Sequence, residues 1–393
     1  MKLTLKQTPE QVELVKAMAS KNRNVAFEAQ TALAEFIGPV LAEVINNAPA
    51  LSNLFTSLQY NADDNPSIPL DLYHDVSDTD YVQVYSQSRA GGLPTSEVLP
   101  TSSELKVATY SLDSAVSFDR RYAAKSRMDV VAKTMTRVAQ EILLKQNNIS
   151  ASVLLTALAG ASTNDTKHVF FSAAKDRLVL ADLNAALTRS KRIVTSFVGG
   201  TPDVRQGKGI TDLVVSPEIV EELRAIAYNP INTKTAPATA ADAGTPSNAF
   251  APDASVRTHP DIAATAFNAA GAPEFYGINI IELNELGVNQ KFNTVFDTAA
   301  ASTNYLRAGG DAATVGGHAD ATFDGDAEEI CIGIDRSRES LLRPVATDAE
   351  NGGEFNLVAD DQYSIRQNKI GYFGSLEEGR IVVDDRALIG IIV

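Results

Sequence analysis

No glycine interrupts this chain between Gly92 and Gly160, and no proline between Pro100 and Pro202. Without its two usual backbone breakers, that window is committed to long regular structure. Tyr81 to Phe118 is polar and strand-like. Asp119 to Ala159 reads as one almost unbroken helix of about 40 residues, about 60 Å at 1.5 Å per residue. Globular helices average about 11–12 residues, so a rod fed by an extended arm suits a protein that reaches its neighbours. Met128, Val131, Met135, Val138, Ile142, Ile149 and Val153 form a single apolar stripe along it, weakening around Gln146-Asn147-Asn148. That pattern predicts a rod lying across a sheet, in preference to a coiled coil.

The 393 residues allow two or three domains with real cores, and 44% hydrophobic with 21% charged residues describes an ordinary folded protein. The first fifteen residues lack the apolar run of a secretory signal, and no stretch approaches the ~18–20 apolar residues of a membrane span. The single cysteine, Cys331, sits in an apolar run and reads as a small buried hydrophobe. A net charge of −15 argues against nucleic-acid binding by the whole surface. The charge is uneven, however. Arg120, Arg121, Lys125, Arg127, Lys133, Arg137 and Lys145 fall on the long helix, whereas Asp297 to Asp361 is strongly acidic. Both patches fit solvated faces; they also fit basic and acidic surfaces that meet between copies.

Along the chain, Thr8-Pro9-Glu10-Gln11 predicts a capped helix to about Ser20. A second helix, Val25 to Asn47, is expected to break or kink at Gly38-Pro39. Two β-runs, Tyr81 to Tyr85 and Glu104 to Phe118, suggest a two-stranded excursion with a tip at Ala90 to Pro94. Such a ribbon is marginal alone and must lie on something else. Asp182 to Thr195 predicts a helix, Thr211 to Val215 a buried strand, and Ser216-Pro217 the cap of a helix through Ala225. Asn229 to Pro273, rich in Ala, Pro, Thr, Asp and Asn, predicts an insertion or a surface-packed loop. Phe275 to Leu283 and Glu329 to Ile334 are strand candidates. The C-terminus reads as strands over Gln362 to Phe373, Arg380 to Val383 and Ala387 to Val393, with a turn at Gly374.

Chemistry is sparse. Gly199-Gly200…Gly207-Lys208-Gly209 fails the phosphate-loop spacing. His74, His168, His259 and His318 are scattered, read as surface or loop residues, and offer no zinc site. Asp320 to Glu329 lacks the calcium-loop spacing and reads as a solvated loop. No nucleophile elbow is present. No catalytic residue, cofactor site or metal site is therefore assigned.

Taken in order, these pieces resemble the major capsid protein of tailed bacteriophages, with the Hong Kong 97-type capsid fold. The helices to about Leu58 are similar to its N-terminal arm, Tyr81–Phe118 to its extended loop and Asp119–Ala159 to its spine helix. Gly209–Ile226 and Glu274–Leu286 resemble axial-domain segments, Glu328–Asp335 the strand that comes next, and Gln362–Val393 the terminal strands beside the spine helix. The resemblance implies an α+β fold with an N-terminal arm, extended β-hairpin loop, long spine helix, and peripheral and axial domains. Its boundaries are 1–60 for the arm, 61–118 for the loop and its lead-in, and 119–200 for the spine helix and first peripheral part. The axial domain follows at 201–345, and the returning strands at 346–393.

The implied function is a non-enzymatic virion shell, assembled in the host bacterial cytoplasm as hexamers and pentamers around double-stranded DNA held without sequence recognition. Scaffold, portal and decoration proteins are implied partners; a membrane is not. Arg89, Lys106, Arg120, Arg121, Lys125 and Arg366 are the expected intersubunit or interdomain contacts. Some members of the family join an extended-loop lysine to a neighbour's asparagine. Lys106 is the only lysine in that loop here, and no partner asparagine can be assigned. An encapsulin-like protein shell, another virion part, and a soluble enzyme with an elongated helical domain are the alternatives.

Overall fold

A computed structural model describes residues 8–46, 51–61, 66–69, 104–164, 168–173, 176–193, 209–228, 274–275, 277–300, 303–307, 322–336, 340–347, 354–360 and 367–393. Helices α1 (Pro9–Met18) and α2 (Arg23–Asn46) come first. A 3-10 turn (Leu51–Leu54) then leads to β1 (Thr56–Asn61), β2 (Ser67–Pro69), β3 (Glu104–Lys106) and β4 (Thr109–Asp119). A short α3 (Arg120–Ala124) precedes the long α4 (Met128–Asn164), β5 (Val169–Phe171) and α5 (Leu180–Ile193). Next are β6 (Asp212–Val215), α6 (Pro217–Tyr228), β7 (Glu274–Phe275), β8 (Ile278–Glu282), α7 (Lys291–Ala300), β9 (Leu306–Arg307) and β10 (Ile330–Ile334). The chain ends with β11 (Leu341–Thr347), β12 (Asn356–Asp360), β13 (Lys369–Gly379), β14 (Ile381–Val382), a 3-10 turn (Asp385–Ala387) and β15 (Leu388–Ile392).

These elements form two compact units. The first takes Met1–Asp71, Pro100–Val153 and Leu341–Val383; the second takes Leu72–Leu99, Leu154–Ser340 and Asp384–Val393. In the first, a sheet runs β1-β11-β13-β12, with β4 along the other side of β13 and β14 on β11. β4 and β13 pair antiparallel over their full eleven residues, Thr109 opposite Gly379 and Asp119 opposite Lys369. One sheet face packs on helices. Ile370, Tyr372 and Leu376 of β13 join Leu33, Ile37 and Leu41 of α2 and Val131, Met135, Val138 and Ile142 of α4 in one core. The second unit holds a sheet of order β7-β8-β6-β10-β15-β5-β9. β6, β10, β15 and β5 are buried throughout, as strands covered on both faces must be. Leu183 of α5 and Ile219 and Leu223 of α6 seal its core.

Local chemistry explains the starts and stops. Thr8 accepts the Gln11 N–H at the head of α1, ahead of Pro9, and the Ser216 hydroxyl does the same for Ile219 at the head of α6, ahead of Pro217. Asp182, fully buried in the first turn of α5, accepts the Ala173 and Val179 N–H groups.

Several expectations change. The long helix is not continuous from Asp119: α3 ends at Ala124 with Lys125 as its C-cap, and Ser126 takes φ 54° before α4 begins. Beyond that break α4 runs unbroken through Gln146-Asn147-Asn148 and past Gly160, 37 residues in all. Its buried stripe leaves Ile142 through Gln146 and Ser150 to Leu154 and Leu158, not through Ile149 and Val153, which are half-buried. α2 is not broken at Gly38-Pro39: it carries Pro39 inside it, while a Cβ on Gly38 would reach to 3.7 Å from that of Leu357 on β12. It is also the one helix among the described residues long and apolar enough to cross a membrane, although it lines the first unit's core. Gly374 makes no turn, because β13 runs straight through it.

β4 likewise belongs to the sheet and not to an excursion; the Tyr81–Tyr85 run and the loop tip lie outside the described residues, as does Asn229–Pro273.

Candidate assembly surface and the ionic cluster of the first unit

Three of the six basic residues singled out above, Arg120, Arg121 and Lys125, fall on α3 and its C-terminal cap, between β4 and α4. Asp119, the last residue of β4, caps α3 by accepting the Arg121 N–H at 2.9 Å, and its carboxylate lies 3.4 Å from the Arg121 guanidinium. Arg121 keeps 82% of its side-chain surface exposed, so that pair adds little stability and leaves the charge available. Lys125, at the end of α3, is exposed. Arg120 is committed inside the unit: its Nη2 donates to the Ala19 carbonyl at 3.2 Å, at the C-terminal end of α1 where a cation is favoured. Lys106 is exposed on β3, opposite Ser67 of β2. Arg89 and Arg366 lie outside the described residues. The junction therefore gathers Arg120, Arg121 and Lys125, and Lys106 stands on a separate two-stranded sheet.

A second cluster escaped the sequence reading. Glu378, near the end of β13, is fully buried, and Arg380 two residues on is nearly so. The Glu378 carboxylate accepts from Tyr110 of β4 at 3.0 Å, Arg343 Nε of β11 at 2.6 Å and Gln146 Nε2 of α4 at 3.0 Å. Arg380 donates to the same carboxylate at 3.0 Å, to Ser150 of α4, and to Ser52 at 2.9 Å, with its guanidinium over the Phe55 ring. A second carboxylate, Glu354, lies 3.9 Å from Arg343 and balances the charge. Gln146-Asn147-Asn148 looked like a gap in the apolar stripe. The gap is where α4 turns from oil to polar partners. The only signal in the sequence was Gln146 and Ser150 at helical spacing on the buried face.

Burial, with the Glu378 charge second, pushes the Tyr110 phenol up to about 12. Unfolded tyrosine titrates near 10. The folded state thus holds the proton more tightly, and Tyr110 contributes stability that is complete below about pH 10 and lost as pH rises towards 12. The urea midpoint should fall between about pH 9.5 and 11.5, and Tyr110→Phe should flatten part of that fall. Tyr372 and Tyr60, both also raised by burial, contribute in the same direction. An unchanged slope in Tyr110→Phe would show that the phenol is not the titrating group.

Elsewhere, Cys331, His168 and Glu328 are enclosed. Cys331 is buried, and desolvation pushes its thiol well above its usual value, which silences it as a nucleophile. His168, expected at the surface or in a loop, lies in the connection just before β5 but is buried, its Nδ1 3.0 Å from the Leu388 carbonyl; the other three histidines lie outside the described residues. Glu328, expected in a solvated loop, is buried and accepts the Asp324 N–H. Among the described residues no three His, Cys, Asp or Glu side chains are placed to share a metal ion.

No protein-family model matches the chain, and no curated protein does either. Solved structures do. A chain of Microbacterium phage Oxtober96 is 14% identical at a TM-score of 0.44, over 88% of this chain and 90% of that one. A chain from the capsid of cyanophage P-SCSP1u is 13% identical at 0.44, over 86% of each. A chain from the holo-SrpI encapsulin complex of Synechococcus elongatus is 9% identical at 0.42, over 88% and 87%. At such identities the likeness is one of backbone alone.

Proposed function

We propose that this chain is the major shell protein of a tailed double-stranded DNA bacteriophage, non-enzymatic, assembling as hexamers and pentamers into an icosahedral head. One observation carries the reading: α4 supplies residues to both compact units and follows, after the short α3, on β4, which is zipped along its whole length to β13. A long helix shared in this way, with arm helices before it and C-terminal strands after it, is the element order of the resemblance drawn from the sequence. On this reading the first unit is the peripheral domain and the second the axial domain. Lys106, Arg121 and Lys125, all exposed, are offered to neighbouring copies, whereas Arg120 braces its own subunit. A net charge of −15 suits a wall that encloses DNA without gripping it.

Negative-stain microscopy of the expressed chain is the test. Closed or capsomer-like particles are expected, alone or with a scaffold protein supplied; monodisperse monomers under both conditions would sink the reading. Nucleic acid in particles purified from infected cells supports a viral head, and protein cargo in its place indicates an encapsulin-like compartment.

A further inference from the structure

α2 carries an apolar face that the described residues leave uncovered. Only 44% of its most apolar stretch is buried. Phe36 is 54% exposed, and Val40 and Ala32, one turn to either side, are exposed too. Isolated exposed apolar residues are ordinary; a phenylalanine open by half its surface within an aligned apolar row is not. Glu28 and Glu35 run along one side of this row and Glu43 stands at its end, all exposed.

The complement lies on the same unit. Residues 120 to 145 hold seven bases (Arg120, Arg121, Lys125, Arg127, Lys133, Arg137, Lys145) against Asp129 and Glu141, a balance of +5 in a chain of net −15. On α4, Lys133, Arg137 and Lys145 are exposed, and Leu144, 46% exposed, falls in line with the first two. Glu35 and Glu43 are eight residues apart, as are Arg137 and Lys145, which is about 12 Å along either helix. Two ion pairs can therefore form at once, flanking contact between Phe36 and Leu144.

We infer that the outer face of α2 on one copy docks on the basic outer face of α4 on a second copy. Within one subunit the two faces cannot meet, because both helices turn their opposite faces into the same core. Complementary patches at different places on one molecule make a head-to-tail contact, the kind that closes into rings. The apolar centre supplies the anchor, and the charges set register and partner choice. The inference rests on the shell reading and names a contact that such a shell would use.

Charge reversal tests it on the full chain, scored by sedimentation. E35K/E43K and R137E/K145E should each weaken assembly by at least about tenfold while far-UV circular dichroism stays native. The quadruple variant E35K/E43K/R137E/K145E should regain assembly, since both partners are then exchanged. Should the reversals unfold, E35Q/E43Q and R137Q/K145Q carry the same comparison, each weakening assembly and showing less than additive loss when combined. Reversals that assemble like wild type, or a folded quadruple that stays dissociated, overturn the inference. So does a lowered melting temperature with intact assembly in E35K/E43K, which would place another segment of the same chain on α2. Assembly of the wild-type chain in the same runs reports separately on the shell reading.

Discussion

Glu378→Ala should destabilise the subunit by about 3–5 kcal/mol, the cost of leaving a buried cation without its partner. Whole domains are stable by only about 5–15 kcal/mol, so the variant should stand near the edge of folding. Glu378 is fully buried and holds β4, β11, α4 and Arg380 through one carboxylate. Its removal leaves Arg343 and Arg380 with one acid paired to them among the described residues, Glu354 at 3.9 Å from Arg343. Urea unfolding followed by circular dichroism measures the loss, and a change below about 1 kcal/mol, the size of a surface pair, would show that the cluster is not the brace described. Replacing all four charged residues together, as E378L/R343M/R380M/E354Q, should cost less than Glu378→Ala alone, because none of the cluster's charges is left without its partner. That ordering separates the net worth of the ion pairs from the penalty of breaking them. Arg343 Nη2 and Gln146 Oε1 already find no hydrogen-bond partner among the described residues, which favours a role in fixing register over one in raw stability.

The cluster also marks what sequence could disclose here. Caps were legible because they are local: Thr8-Pro9 and Ser216-Pro217 carry their own instructions within four residues. The order of elements along the window from β4 into α4 was legible for the same reason, since glycine and proline are absent from it. Pairings across distance were not. Nothing in Thr56–Asn61 announces a parallel partner at Leu342–Thr347, nor in Thr109–Asp119 an antiparallel one at Lys369–Gly379. The break at Ser126 was hidden because its positive φ falls on a residue with no special liking for it. Of the expected contact residues, Arg120, Arg121 and Lys125 followed from charge density on one segment. Which of them stays free depended on the Ala19 carbonyl, a hundred residues away in sequence.

Gly374 exposes the same limit in a form that can be measured, because local propensity and packing there predict opposite signs. It lies mid-strand in β13, opposite Leu357 on one side and Ser114 on the other. By propensity alone, valine in its place should stabilise the strand by up to about 1 kcal/mol. Packing says otherwise: a Cβ at that position would stand 2.5 Å from Phe355 Cζ, a separation no real pair of carbons tolerates. Phe355 is buried in the core of the first unit, so its ring has no free volume to retreat into. Overpacking should win, and Gly374→Val should destabilise by about 3 kcal/mol. Gly374 is not among the positive-φ residues, so none of this loss comes from backbone strain. The cause is testable by a double-mutant cycle with Phe355→Ala. If the ring is the obstacle, valine should cost much less, or even stabilise, once Phe355 is alanine. Equal costs in both backgrounds would show that the Phe355 ring is not what excludes a side chain at position 374.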